Sequence, residues 1–409
     1  MADETPAAGT GDHGPAPELG DVLSSVLERA HDASATGVAG LIDEAAARLG
    51  IGGATLYLAD LQQLWLTPLP RPGSAADGTA GPPLAVDGTA AGLAYRTQRV
   101  QQAPGEATSW FPMVDGVERL GVLRAVGPSP EARDREAFQA LASLATLLVV
   151  SKGTHHELLV ATERTRAMTL QAELLWAFLP PRTIGTEHAT SAAVLEPAYD
   201  VGGDAFDHSF IGSVLHLAVL DAMGHDLASG GASAVGLAAC RYTRRSGGSL
   251  GAIATAIDRA LSEWIPDRLM TACFAELDTA TGDFTWINCA HPTPLLIRDG
   301  RVLPGALERG AQLPLGLGFH SVDPPPPNRV RLQPGDRVLL YSDGITEARS
   351  PDGGLFGEER LADTVIRSTA TGDSAPEALR RLIQNLLTHN AHRLRDDATI
   401  LLLEWHPRR

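Results

Sequence analysis

Four short motifs in the second half of the sequence each place an aspartate beside a strand-like apolar run. They are Val201–Asp204, Asp221–His225, Ser342–Gly344 and Arg395–Thr399. Carboxylates brought together without a counter-charge repel one another and resist ionisation, so a group of them points to a hard divalent cation. Oxygen ligands of this kind favour magnesium or manganese over zinc. The motifs therefore predict a two-metal hydrolytic site.

The order of elements predicts how these aspartates meet. Asp204 starts a strand, a turn follows at Ile211–Ser213, and the returning strand ends next to Asp221. Such a hairpin places the two carboxylates side by side, as a bridging unit for cations about 3.5–4 Å apart requires. Asp343 follows one further apolar strand, at Val338–Tyr341, and Asp396 precedes another, which begins at Thr399. A lone Asp-Gly or Asp-Asp is more often an ordinary turn, but four such sites in order are hard to explain as turns.

Composition narrows the class of protein. The chain has 409 residues, 44% of them hydrophobic and 20% charged, which is typical of soluble globular proteins. A formal net charge of −16 argues against nucleic acid or an anionic membrane as a partner. The most apolar stretch, Phe138–Val150, is shorter than the roughly 18 residues needed to span a bilayer. The three cysteines form no C-x-x-C pair, so we expect reduced core residues in a cytoplasmic protein.

Length and patterning predict more than one domain. Residues 1–17, rich in Ala, Gly, Pro and acidic residues, predict a disordered tail. Residues 18–152 read as two helices, a mixed set of strands and a closing helix, a small α/β sensor domain. In residues 182–409, strands in antiparallel runs alternate with helices, which predicts two packed sheets flanked by helices.

Residues 153–181 predict a linker helix. Apolar or small residues recur at alternating spacings of four and three, at Ala161, Thr165, Met168, Ala172, Leu175 and Leu179. This heptad seam is about three repeats long, so a parallel dimeric coiled coil is one reading. An amphipathic helix that lies on its own domain is the other, and the spacing leaves both open.

The motifs resemble those of a known family over about residues 174–405. The similarity runs through Leu179–Pro181, Tyr199–Asp204, Asp221–His225, Ala290–Leu295, Leu313–Gly316, Pro334–Asp336, Tyr341–Ala348, Phe356–Gly357 and Asp396–Thr399. In this order they are similar to the bacterial stage-II-sporulation-E-type phosphatases of the PPM superfamily, metal-dependent serine/threonine protein phosphatases. The number and order of the matches make the resemblance specific.

The resemblance implies an α+β fold with a C-terminal α-β-β-α sandwich and two Mn²⁺ or Mg²⁺ ions. By match, Asp221 bridges the metals with the backbone carbonyl of Ala222 beside it, and Asp343 and Asp396 ligate one metal. Asp204 holds the site directly or through water. A metal-activated water would then attack phosphorus in line, without a phospho-enzyme.

Several neighbouring residues are assigned less directly. His225 is a candidate proton donor or orienting group, His291 stands in a family-typical turn and is read as structural, and Asp397 is read as a supporting group next to a ligand. Two departures from the family pattern stand close to the site. The family usually has Gly where this chain has Asp226, and a bulky aromatic where it has Ala205.

The N-terminal domain resembles a GAF sensor domain in its order of elements, with a PAS domain as the near alternative. Together the resemblances imply a signal-regulated phosphatase that acts on a phosphorylated anti-anti-sigma regulator of STAS type. They also imply an unidentified signal at the sensor domain and a homodimer. The alternative is a catalytically weak pseudo-phosphatase that senses a signal and binds a partner, which Asp226 and Ala205 would favour. Four converging aspartates favour the enzyme, because a binding module has no physical need for them.

Overall fold

The computed structural model describes residues 18–50, 52–71, 81–102, 107–127 and 132–406. The predicted disordered tail, residues 1–17, lies outside the described residues. The chain divides into two compact units, with the main boundary between Arg164 and Thr165. No single helix among the described residues is long and apolar enough to span a membrane. The pair α4 and α5, defined below, reaches that length and apolar composition only when both helices are counted together across a bend of 110°.

The N-terminal unit is an antiparallel sheet with helices on both faces. Its elements are α1 (Leu19–Ala30), α2 (Ala35–Arg48), β1 (Gly53–Ala59), β2 (Trp65–Pro68), β3 (Leu84–Ala85), α3 (Ala90–Thr97), β4 (Gln101–Gln102), β5 (Thr108–Asp115), β6 (Glu118–Val126), α4 (Ala132–Gly153) and α5 (Glu157–Glu163). The strand order is β3-β2-β1-β6-β5-β4. Side chains of α1, α2 and α4 build the larger core against one face, and α3 covers a smaller cluster that includes Tyr95 and Trp110. The identity of this unit as a GAF domain stays a prediction.

The linker helix predicted over residues 153–181 is wrong as one continuous helix. The chain forms α5 and, after a break, α6 (Leu170–Trp176). The break is held within the C-terminal unit, because the N–H groups of Thr165 and Thr169 donate to the hydroxyl and the carbonyl of Tyr199. Ala172 is buried in the core of the C-terminal unit. Apolar spacing alone could not reveal that the seam is divided between two cores, and the homodimer stays a prediction.

The C-terminal unit contains the remaining elements. After α6 come β7 (Thr183–Gly185), β8 (Ala189–Glu196), β9 (Asp204–Ile211), β10 (Val214–Ala222), α7 (Leu227–Arg245), α8 (Leu250–Trp264), β11 (Met270–Asp278), β12 (Asp283–Cys289), β13 (Leu295–Arg298), β14 (Arg301–Val302), β15 (Asn328–Arg331), β16 (Arg337–Tyr341), α9 (Asp343–Thr346), α10 (Gly357–Ala370), α11 (Ala375–His389) and β17 (Ala398–Trp405). A short 3-10 turn lies at Phe319–Ser321.

These strands form two sheets packed face to face, which confirms the predicted sandwich. One sheet has the order β15-β12-β11-β10-β9 and the other β14-β13-β16-β17-β8-β7. A large core lies between the sheets and beneath α7 and α8, and a second core joins the other sheet to α10 and α11. Strand β17 is buried along nearly its whole length and β10 along most of it, as expected for central strands covered on both faces.

Candidate active site

The predicted aspartates lie at neighbouring strand ends of the two sheets. Asp204 begins β9 and is paired in register with Asp221 near the end of β10. In the other sheet, Asp396 directly precedes β17, and Asp343 begins α9 two residues after β16, the partner of β17. The antiparallel hairpin and the facing sheet thus bring together carboxylates that are far apart in the sequence.

Asp397 fastens the Val201–Asp204 loop to the facing sheet. Its Oδ2 accepts hydrogen bonds from the N–H groups of Gly202 (2.9 Å), Gly203 (2.6 Å) and Asp204 (3.0 Å). A buried carboxylate that satisfies three otherwise unpaired N–H groups is a strong local restraint. These bonds fix the point from which Asp204 enters the site, and the supporting role of Asp397 stays a prediction.

Ser342 holds the carboxylate of Asp204. The Ser342 hydroxyl donates to Asp204 Oδ2 over 2.6 Å, and it accepts from the N–H of Thr399 over 2.9 Å. Asp204 is 2% exposed, so this bond anchors an otherwise deeply buried charge. The same loop is held from α7 by the Ser233 hydroxyl, which donates to the Gly203 carbonyl. Ala222, expected to offer its carbonyl, ends β10, and its N–H donates to Gly203.

The electrostatics of the site are those of a cluster of mutually repelling carboxylates. Burial and the charges of Asp343, Asp396 and Asp397 raise the pKa of Asp221 to about 7. The pKa of Asp204 is also well above its usual range, because the group is buried and faces Asp221 and Asp397. Burial and Asp396 likewise raise the pKa of Asp343. Such a cluster is suited to a divalent cation, which would neutralise the repulsion.

The open side of the cluster faces a cavity of about 850 Å³. Asp343 and Asp396 lie on its wall, and Asp396 is exposed. Within the described part of the chain, no three His, Cys, Asp or Glu side chains are already gathered closely enough to hold one metal ion. Like charges are expected to stay apart until a cation draws them together. The oxygen donor set fits magnesium or manganese, and the ligands would come from Asp204, Asp221, Asp343 and Asp396.

Asp226 has a structural role that the sequence did not reveal. Its carboxylate caps the N-terminus of α7 by accepting from the N–H and the hydroxyl of Ser229, both at 2.9 Å. Arg268 donates to its other oxygen over 2.7 Å. The bonds from Ser229 and Arg268 lower the pKa of Asp226 to about 2. This departure from the family pattern is therefore a helix cap with an ion pair, while the neighbouring His225 is exposed.

His291 belongs to the second layer of the site. It is buried, which lowers the pKa of its imidazole to about 3. Its Nδ1 lies 2.8 Å from the hydroxyl of Thr271, and its N–H and carbonyl are both bonded to the side chain of Asn288. Thr271 is the register partner of Asp221, and its hydroxyl acts to lower the pKa of that carboxyl. A neutral, fixed histidine of this kind supports the site through Thr271.

Sequence reasoning missed three supporting residues: Ser342, Thr271 and Arg268. Ser342 stands inside one of the aspartate motifs, so a signal was present. Thr271 and Arg268 are placed by the β10–β11 pairing and by the chain entering it, which no local motif reports. Ala205 is fully buried in the core between the sheets.

Comparisons with known proteins find a family match in the C-terminal unit. Residues 212–406 match the model of the family described as stage II sporulation protein E (SpoIIE), a stretch that includes Asp221, Asp343, Asp396 and Asp397. Protein IcfG of Synechocystis sp. is 28% identical over 119 residues, which is 29% of this chain and 18% of that protein. The chain therefore spans a minor part of this curated relative.

Two solved structures are similar to part of this chain. The RsbU and RsbW domains of Rv1364c from Mycobacterium tuberculosis are 25% identical, with a TM-score of 0.45 and coverage of 54% of this chain and 60% of that one. The catalytic domain of the serine/threonine protein phosphatase PstP, solved in complex with two manganese ions, is 19% identical, with a TM-score of 0.38 and coverage of 54% and 99%. The family match over residues 212–406, together with the aspartate motifs at the strand ends, makes the C-terminal unit similar to the SpoIIE family of PPM-type phosphatases.

Proposed function

We propose that the chain is a metal-dependent phosphoprotein phosphatase whose C-terminal domain hydrolyses phosphoserine or phosphothreonine. The observation that carries this proposal is the convergence of Asp204, Asp221, Asp343 and Asp396 from two sheets, with Asp343 and Asp396 on the wall of one cavity. A structural protein would have no reason to bear the electrostatic cost of that arrangement.

The residues of the chain have distinct tasks in this mechanism. Two Mn²⁺ or Mg²⁺ ions, when bound, would supply charge neutralisation and a water of lowered pKa. Asp221, Asp343 and Asp396 keep carboxylate oxygens available to hold these ions, and Ser342 fixes the orientation of Asp204. Asp397 keeps the loop of Asp204 in place. The exposed His225 stands three residues beyond Ala222 on the loop that leads into α7, and its proposed task is to move a proton there.

The wider assignment is also our proposal. We propose that the substrate is a phosphorylated regulator of anti-anti-sigma type, that the N-terminal unit senses a signal as a GAF-like domain, and that the chain works as a homodimer in the cytoplasm. The family resemblance supports the substrate, and the order of elements supports the sensor. The three free, buried cysteines, Cys240, Cys273 and Cys289, agree with a reducing compartment.

Phosphate release tests the enzymatic assignment. The full chain is assayed on para-nitrophenyl phosphate and on phosphoserine peptides with manganese, with magnesium and with chelator. We expect metal-dependent turnover that Asp221→Asn and Asp343→Asn each reduce at least about a hundredfold. The matched control is Asp283→Asn, which changes an exposed carboxylate at the start of β12. Equal turnover in all four proteins would refute the proposal.

A partner-binding pseudo-phosphatase is the second candidate. The observation that favours it is the absence, among the described residues, of three acidic side chains already gathered around one point. The same experiment separates the two candidates when manganese binding is measured by calorimetry alongside turnover. Metal binding that is lost in Asp221→Asn, without release of phosphate from any substrate, would support the pseudo-phosphatase.

A further inference from the structure

The cavity beside the aspartates carries basic side chains on the wall that the acidic cluster leaves free. Arg349 approaches from the segment after α9, and Arg393 and Arg395 approach from the segment between α11 and β17. All three are exposed, and none forms a salt bridge with another described residue. The lining also contains three carboxylates, those of Asp343, Glu347 and Asp396, and the guanidinium of Arg349 donates to the carbonyl of Gly353 over 3.3 Å. In a chain with a net charge of −16, three guanidinium groups without a carboxylate partner among the described residues make this cavity less acidic than the chain as a whole.

The loop that bears two of these arginines is held in a fixed shape. Ala391 and His392 both have positive φ angles, of 53° and 60°. The N–H of His392 donates to the carbonyl of Leu387 over 2.7 Å, and the N–H of Arg393 donates to the carbonyl of Asn390 over 3.2 Å. Non-glycine residues in this left-handed region are uncommon and persist where the surroundings impose them.

Asn390 gives an independent sign of a ligand. It is 4% exposed and lines the same cavity, yet neither its side-chain oxygen nor its nitrogen has a hydrogen-bond partner among the described residues. A buried amide without partners is costly, so such groups usually await water or a ligand. One donor and one acceptor together match the C=O and N–H of a peptide backbone.

We propose that this cavity binds the segment of the phosphoprotein that flanks the phosphorylated residue, and that it selects acidic side chains there. The inference rests on the proposed function of the neighbouring aspartates. The phosphoryl group would lie at the end of Asp343 and Asp396, the Asn390 amide would pair with the peptide backbone, and the arginines would bind carboxylates on either side. A volume of about 850 Å³ lies within the range of known binding clefts, about 300–1,000 Å³.

Peptide affinity tests the inference without relying on turnover. Two fluorescent peptides carry the phosphonate analogue of phosphoserine, which cannot be hydrolysed, flanked either by glutamates or by glutamines. Anisotropy with the full chain and manganese should show the glutamate peptide binding about three- to tenfold more tightly, with a preference that falls as salt is added. In the double variant Arg393→Gln/Arg395→Gln the ratio of the two affinities should approach one. Arg329→Gln, an exposed arginine of β15, should keep the ratio of the unaltered chain.

Other outcomes would overturn the inference. If the double variant weakens both peptides equally and lowers turnover of para-nitrophenyl phosphate by the same factor, the arginines serve the phosphoryl group and not the flanking residues. If the unaltered chain binds both peptides equally, the cavity does not select acidic segments. Phosphate release from the matching phosphoserine peptides is measured separately. An acidic preference without any phosphate release would refute the phosphatase and leave the acidic selection in place.

Discussion

Replacing Asp397 separates its role as a restraint from its contribution to the charge of the site. Its Oδ2 accepts three N–H groups of Gly202, Gly203 and Asp204 in a buried turn. In Asp397→Ala these donors lose their acceptor, and each unsatisfied group costs about 1–3 kcal/mol. Some access of water would reduce the sum, so we expect a loss of roughly 4 kcal/mol in the free energy of unfolding.

Asp397→Asn supplies the matched comparison. The amide keeps one oxygen that can accept from the loop, and it removes a charge whose burial and proximity to Asp396 raise the pKa of Asp397. Lost charge assistance and relieved repulsion act in opposite directions, so we expect a net loss of only about 1 kcal/mol. The difference of roughly 3 kcal/mol between the two variants corresponds to about 6–12 °C in the melting temperature of a domain of this size.

Two measurements on the full chain test whether Asp397→Ala is less stable than Asp397→Asn. Differential scanning calorimetry in chelator gives the melting temperatures, and hydrogen exchange followed by mass spectrometry reports on the amides of Gly202–Asp204. The control is Asp283→Asn, an exposed substitution expected to change stability by less than about 0.5 kcal/mol. If Asp397→Ala and Asp397→Asn have the same melting temperature, and the amides of Gly202–Asp204 exchange no faster in Asp397→Ala than in the unaltered chain, the hydrogen bonds of Asp397 are not what holds Asp204 in position.

Three further predictions follow from the same site. The raised pKa of Asp221 means that its carboxyl group binds a proton more tightly in the folded chain than in the unfolded chain. In chelator, the free energy of unfolding should therefore fall as pH rises from about 4 to about 7. A melting temperature that rises over this range would contradict the raised pKa of Asp221. Thr271→Val removes the hydroxyl that lowers the pKa of Asp221 and should weaken manganese binding near neutral pH about three- to tenfold in calorimetric titration, whereas Thr271→Ser should keep it. A methyl group in Gly344→Ala would collide with the backbone carbonyl of Asp397 and should lower metal-dependent turnover at least about tenfold, while Gly310→Ala, where the methyl has open space, should not.

The sandwich could be predicted from the sequence because local and global signals agree in it. Strand β13 and helix α8 begin and end where the apolar pattern predicts, at Leu295–Arg298 and Leu250–Trp264. Ser249 caps α8 by accepting from the N–H of Ala252, so residues next to the helix start determine where it begins. The pairing of Asp204 with Asp221 also follows from the turn length, since a hairpin fixes its register.

The break in the linker helix and the role of Asp226 could not be predicted from the sequence, because the residues that contact them are distant in the sequence. The heptad spacing continues through Thr165, but the N–H and the hydroxyl of Thr165 are hydrogen-bonded to the hydroxyl of Tyr199, and the helix does not continue through this residue. Asp226, which the sequence marks only as a departure from the family pattern, is bonded to Ser229 and Arg268. In both cases a tertiary contact overrides a local pattern.

The division of labour among the five carboxylates follows from how each is already bonded. Asp397 and Asp204 are at most 5% exposed, and one oxygen of each, Oδ2, accepts hydrogen bonds from backbone N–H groups or from the Ser342 hydroxyl. Asp221 and Asp343 are partly exposed and Asp396 is exposed. A cation approaching from the cavity therefore meets Asp343 and Asp396 first, with Asp221 beside them, while hydrogen bonds hold Asp204 and Asp397 in place behind them. The buried pair limits the movement of the loops, and the open group keeps the repulsion that a divalent cation relieves.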